Sequence, residues 1–207
     1  MANDLKQVEA KITVADPTAL GVFGLAMVTF VASTQKLGWT SGVSGLVPWA
    51  VFLGAIAQVI AGIFDFKKNN YFGATVLTTY GLFWFGVAMS WSITLGWLGP
   101  EFQAAFSTVQ LGWAFLGYFI FSLFIMVAAF ETNKVFAAIL VLINVLLLSL
   151  ALTSFKIVDL HPVAGWSEFF ISLLGFYGCG AIFLNNFFGR TILPIGGPMG
   201  FIKKGAR

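Results

Sequence analysis

Long apolar runs separated by short polar connectors dominate the chain. Six runs, at 18–34, 43–64, 73–98, 110–130, 135–155 and 166–187, approach the roughly 20 mostly apolar residues that a helix needs to cross a hydrocarbon core about 30 Å thick. The first is short, with Ser33, Thr34 and Gln35 marking its far end, and the third is long enough to tilt. The connectors at 35–42, 65–72, 99–109, 131–134 and 156–165 are too small to hold a soluble domain. A transmembrane barrel would need alternating strands of about 10 residues, whereas 135–152 is apolar on every face. The pattern predicts an all-α integral membrane protein with six transmembrane helices. It divides the chain into an N-terminal segment 1–17, a transmembrane domain 18–187 and a tail 188–207.

Charge gives this layout a direction. On alternate sides of the spans lie Lys6, Lys11, Lys67, Lys68, Lys134, Arg190, Lys203, Lys204 and Arg207 against Lys36 and Lys156. Basic loops stay inside, so both termini are expected in the cytoplasm, which requires an even number of crossings. Trp39, Trp49, Trp97 and Trp166 fall near the expected outer boundary, as an aromatic belt would, whereas Trp84, Trp91 and Trp113 lie deeper and need packing partners. The small residues Gly54, Ala57, Ala61, Gly62, Gly175, Gly178 and Gly180 would let helices approach closely, within one protomer or between subunits.

Composition agrees and narrows the chemistry. Hydrophobic residues make up 59% and charged residues 9% of the chain, with mean hydropathy +0.93, against about 25% charged in a soluble chain. The net charge of +3 is spread over short connectors and forms no stripe, so nucleic acid is not an expected partner. Residues 1–15 lack the apolar core of a signal peptide. The single cysteine, Cys179, excludes an internal disulfide. With His161 as the one histidine, a multi-His metal site is excluded and a Cys/His dyad disfavoured. No phosphate loop is present, and no cofactor or metal is called for.

No Asp, Glu, Lys or Arg falls near the middle of any span. Asp65 and Glu131 read as solvated helix ends, Asp16 precedes the first span, and Glu168, beside Trp166 and near His161, reads either as a helix end or as an entrance or proton-linked group. Among the uncharged polar residues, Gln58, Thr79, Tyr80, Asn144 and Tyr177 are candidates to bind a small anion or neutral solute. Gln58 and Asn144 should face a partner helix or a cavity, because a lipid-facing amide is costly. Asp16 and Pro17 suit a helix start, either as a cap alone or as an N-terminus aimed at an anion path.

Asp16-Pro17-Thr18-Ala19-Leu20-Gly21-Val22 resembles the Asn-Pro-Ala-Pro-Leu-Gly-Leu signature of the acetate uptake transporter family, the YaaH-like succinate-acetate permeases. It departs at Asp16 and at Ala19. The likeness continues through 58–68, Thr79-Tyr80-Gly81 with Phe83-Trp84, Ala164-Gly165-Trp166, Tyr177, Asn185 and the stretch 188–196. The resemblance implies a six-helix protomer in a homohexameric ring in the plasma (inner) membrane, each protomer with its own path for acetate and related small carboxylates such as succinate. It implies a central hydrophobic gate at Leu25, Tyr80 and Ile143, with Leu25 where relatives usually carry Phe. Members of the family are proton-coupled symporters or anion channels, so protons are expected partners beside lipid and the carboxylate. A passive channel and a non-transporting membrane scaffold stay open as alternatives; an enzyme is not expected.

Overall fold

A computed structural model describes residues 13–202 and 205. Six helices are long and apolar enough to cross a membrane: α1 (Thr18–Lys36), α2 (Val47–Lys67), α3 (Tyr71–Thr94), α4 (Thr108–Phe130), α5 (Lys134–Ser154) and α6 (His161–Phe188). Asx and Ser caps start three of them. Asn70 accepts from Gly73 N ahead of α3, Ser107 from Gln110 N ahead of α4, and Asn133 from Phe136 N ahead of α5. Gly189 ends α6 in the left-handed conformation, φ 64°, where a glycine costs least.

Two of the boundaries differ from the sequence reading for evident local reasons. Helix α6 begins at His161, ahead of the expected 166, because Pro162 fits a first helical turn. Helix α3 ends at Thr94, ahead of 98, because Gly96 and Gly99 take positive φ. The following connector contains a short helix, Pro100–Ala105. Within α2, Ala50–Ala57 wind as a π-helix before α-helix resumes at Gln58.

The chain runs up and down, so two faces can be defined. The first, where α1 starts and α6 ends, gathers Asp16, Lys68 and Asn186: Lys68 Nζ lies 3.3 Å from Asp16, and Asn186 donates to it at 3.4 Å. The opposite face gathers the end of α1 and the start of α6. Lys67, Lys68, Lys134 and Arg190 lie at the first face and Lys36 and Lys156 at the second; Lys6, Lys11, Lys203, Lys204 and Arg207 lie outside the described residues. The tail from Gly189 is tied back across the first face. Val135 N donates to Ile195 O, Met199 N to Phe130 O, and Gly200 N and Ile202 N to the Glu131 carboxylate. Glu131, at the partly exposed end of α4, also anchors the tail.

Helix α1 packs along α6, α2 along α3, and α5 against both α4 and α6. Small residues make these approaches close: Gly54 lies under Trp84 and Val28, and Gly175 against Ala26. The backbones of α3 and α4 stand further apart and are bridged by large side chains, Phe83 meeting Phe115 and Tyr118. The outward face of α4 carries Trp113, Ile120, Phe124 and Val127, all exposed.

Gly24 sets the closest α1–α2 contact, since a Cβ there would overlap the Leu53 carbonyl oxygen. Gly24→Ala is expected to cost about 1–3 kcal/mol, the usual range for overpacking, and to lower the melting temperature in detergent. Gly117→Ala, whose Cβ meets nothing within 4 Å, should leave it unchanged.

Candidate functional site

Among the described residues, two cavities run into the bundle, one towards each face, besides a groove of about 690 Å³ at the first face. The wider of these two, about 390 Å³, opens near the second face between α1, α3, α4, α5 and α6. Phe83, Trp84, Trp91 and Phe115 line it with aromatic surface, and Lys36, Lys156, His161 and Glu168 give it polar groups. Lys36 Nζ donates to both Glu168 oxygens, at 2.9 and 3.1 Å. Both side chains are nearly inaccessible, at 9% and 2% of full exposure. His161 begins α6 beside Asp159, whose Oδ1 accepts from His161 N at 3.0 Å and lies 2.7 Å from Nδ1. The His161 N–H and imidazole hold this exposed carboxyl below its ordinary range.

The smaller cavity, about 60 Å³, reaches from mid-bundle towards the first face. Leu25, Tyr80 and Ile143, from three different helices, line it together with Gln58, and Thr18, Asn70 and Phe72 line its first-face side. Among the described residues, the walls carry no cation. Gln58 is buried and donates from Nε2 to Gly54 O at 2.7 Å, inside the π-helical segment. The Tyr80 hydroxyl is paired with Ser122 of α4 at 2.7 Å, which fixes the ring at the cavity wall.

The proposed binding residues thus divide. Gln58 and Tyr80 line the smaller cavity. Asn144 lines neither cavity; its Nδ2 donates to Leu140 O at 2.8 Å and reaches Ser122 O at 3.4 Å, while Oδ1 is buried without a partner. Thr79 borders a groove on the α4 side and accepts from the Tyr118 hydroxyl through its backbone oxygen. Tyr177 is exposed and donates to Pro194 O of the tail. Of the entrance candidates, His161 and Glu168 line the large cavity, whereas Asp16 lies at the other face. Burial pushes the Asp16 carboxyl up, but bonds from Thr18 and the nearby Lys68 outweigh it and hold it below its ordinary range.

Sequence reasoning missed Lys36, Ser122 and the depth at which Asp65 and Glu168 lie. Lys36 counted only as a charge on the sparsely basic side, although a lysine at a span end is a natural partner for Glu168. Ser122 is a lone hydroxyl in the apolar run of α4, a visible but weak signal. Asp65 and Glu168 were expected at solvated ends or as an entrance group; both are almost fully buried, at 0% and 1% exposure. Helix crossing explains this: Gly73 of α3 leaves the space that Asp65 occupies. Among the described residues, no cluster of His, Cys, Asp and Glu could hold a metal ion.

A profile of the GPR1/FUN34/yaaH family matches residues 2–194. The chain is 32% identical over 186 residues to the succinate-acetate/proton symporter SatP of Escherichia coli, across 88% of this chain and 95% of that one. It is 34% identical over 123 residues to acetate permease A of Emericella nidulans, across 58% of this chain and 39% of that one. The solved structure of the bacterial acetate channel SatP superposes with a TM-score of 0.80 at 29% identity, covering 89% of this chain and all of that one.

The Lys36–Glu168 pair has a testable energetic signature. Lys36→Met strands a buried carboxylate and is expected to destabilise by about 3–5 kcal/mol, while Lys36→Met with Glu168→Met recovers most of the loss. Thermal unfolding of the three variants in detergent measures the coupling.

Proposed function

We propose that this chain, which belongs to the GPR1/FUN34/yaaH family, carries acetate and similar small carboxylates across the membrane through its two cavities. The arrangement that supports this is a wide cavity bearing Lys36, Lys156 and His161 that leads towards a narrow apolar one walled by Leu25, Tyr80 and Ile143. Lys156, beside the mutually neutralised Lys36–Glu168 pair, raises the local concentration of a small anion at this confined mouth. An apolar constriction then admits solute in brief, weakly bound steps and closes by dewetting. Gln58 offers a buried amide that lines this constriction, and Leu25 leaves a wider passage than the Phe usual in relatives.

The constriction also bears on mechanism. A bare carboxylate entering a small apolar space loses its hydration without a compensating cation, at a cost of several kcal/mol. Movement with a proton avoids that cost, which favours proton-coupled transport; the relative from Escherichia coli is named a proton symporter. The second reading is a passive anion channel, the description carried by the solved relative. An enzyme has little support, because Cys179 and His161 sit 18 residues apart on one helix, about 27 Å at the helical rise.

In the membrane, the first face lies in the cytoplasm with segments 1–17 and 188–207, and domain 18–187 spans the inner membrane. Glu168 and His161 form the outer entrance and Asp16 the inner one. The exposed apolar face of α4 packs on neighbouring copies in a homohexamer.

Labelled acetate should enter proteoliposomes faster when the outside is acidified, above the free diffusion seen in protein-free vesicles. Tyr80→Ala should raise flux several-fold and weaken discrimination against larger acids such as succinate and lactate. Uptake equal to that of protein-free vesicles at every pH gradient would rule out the transport reading.

A further inference from the structure

Asp65 is the most isolated polar group in the described chain. It lies in the last turns of α2 with no exposed surface, and neither carboxyl oxygen has a hydrogen-bond partner. Its side chain is pressed against Gly73 of α3, where any Cβ would collide with Oδ2. Of the neighbouring polar groups, Asn70 uses its oxygen to cap α3, and its amide nitrogen lies beside Asp65 Oδ2 over Gly73 without completing a hydrogen bond. Lys68 pairs with Asp16, and Thr18 donates both its amide and its hydroxyl to Asp16. Asp16 and Lys68 are the charged groups that face Asp65, one of each sign. Glu168, the other buried carboxylate, has its own lysine; among the described residues Asp65 forms no ion pair.

Two of the residues that touch Asp65, Asn70 and Gly73, also line the smaller cavity. Asp65 therefore stands immediately behind the wall of the space that the transport reading gives to the substrate. An ionised carboxylate without donors or a dedicated cation is strongly disfavoured in such surroundings, and two carboxylates close together in low dielectric cannot both be ionised.

We propose that Asp65 is a proton-binding site that shares a single proton with the substrate's carboxyl group. With the proton on Asp65, the smaller cavity accepts the carboxylate anion. With Asp65 ionised, it accepts only the neutral acid. In both cases one anion and one proton occupy the site together. On the cytoplasmic side the substrate leaves as the anion, and the O–H bond on Asp65 breaks to give its proton to solvent beside the exposed Asp16. No other reactant is required. Asp65 thereby fixes the ratio of proton to carboxylate, whereas Leu25, Tyr80 and Ile143 fix what fits.

The proposal rests on the transport reading, and its test separates the two. Asp65→Asn removes the titrating group at nearly constant shape. In proteoliposomes preloaded with unlabelled acetate, this variant should still exchange labelled acetate. Its initial rate of uptake driven by a pH gradient should fall to the free diffusion seen in protein-free vesicles, and its net flux should become responsive to an imposed membrane potential. Asp65→Glu should restore part of the gradient-driven initial rate. A gradient-driven initial rate in Asp65→Asn equal to that of the unmodified protein, after subtraction of free diffusion, overturns the proposal. A second measurement needs neither transport nor the variant's folding. Infrared spectra of the unmodified protein near neutral pH should contain the C=O stretch of a protonated carboxylic acid, retained in Glu168→Gln, and absence of that band also overturns the proposal. If the unmodified protein shows the band but no acetate exchange, the proton site stands and the transport reading fails.

Discussion

Hydrocarbon offers no hydrogen bonds, so every polar group that enters it must find its partner within the chain. This constraint orders the structure at each level. The buried hydroxyls of Thr29, Ser33, Ser149 and Ser172 bond back to carbonyls of their own helices, and so pass through the bundle without needing a neighbour. Gln58 satisfies its amide nitrogen on Gly54 of its own helix. Lys36 and Glu168 satisfy each other, which ties the end of α1 to the start of α6. The few groups left over, Asp65, the Thr78 hydroxyl and the Asn144 oxygen, stand out because the rest of the bundle follows the rule so closely.

The same constraint explains how the gate is held. Tyr80 could not present an unpaired hydroxyl to an apolar cavity at low cost, and its bond to Ser122 gives the oxygen a partner on α4 while the ring remains at the wall. Asn144 approaches Ser122 from α5 through the backbone oxygen. Helix α4 thus supports the constriction from behind although its backbone stands off from α3. The spacing between these helices leaves room for the large aromatic cavity, so the width of the outer cavity and the fixation of the gate have one origin.

Much of this was legible in the sequence because its causes are local. Six apolar runs must become six helices in lipid, and the basic residues of the connectors imply a direction for them. Asn70, Ser107 and Asn133 cap the helices that follow, as such residues do. The convergence of Leu25, Tyr80 and Ile143 came from the family resemblance, since no periodicity states which faces of α1, α3 and α5 meet, whereas Gln58 was legible from the cost of an amide facing lipid. The misplacements share a cause. Thr79 and Tyr177 sit on polar-looking positions whose helices happen to turn them outward, and Asp65 sits at a helix end that α3 covers. Burial at a span's end depends on how neighbouring helices cross, and the pattern along one helix carries no information about the crossing.

The π-helical stretch Ala50–Ala57 has a consequence for how such a chain can change. A π-turn accommodates one residue more than an α-turn, so everything after it in α2 is rotated relative to a continuous α-helix by about 100°, one residue's share of a turn. Gln58 follows immediately after the stretch and faces the smaller cavity. Its direction therefore depends on the number of residues between Trp49 and itself as well as on their identity. A lineage that lost a single codon there could wind the stretch as α-helix and keep the amide in the passage, whereas one that gained a codon would have to widen a further turn or swing the amide out.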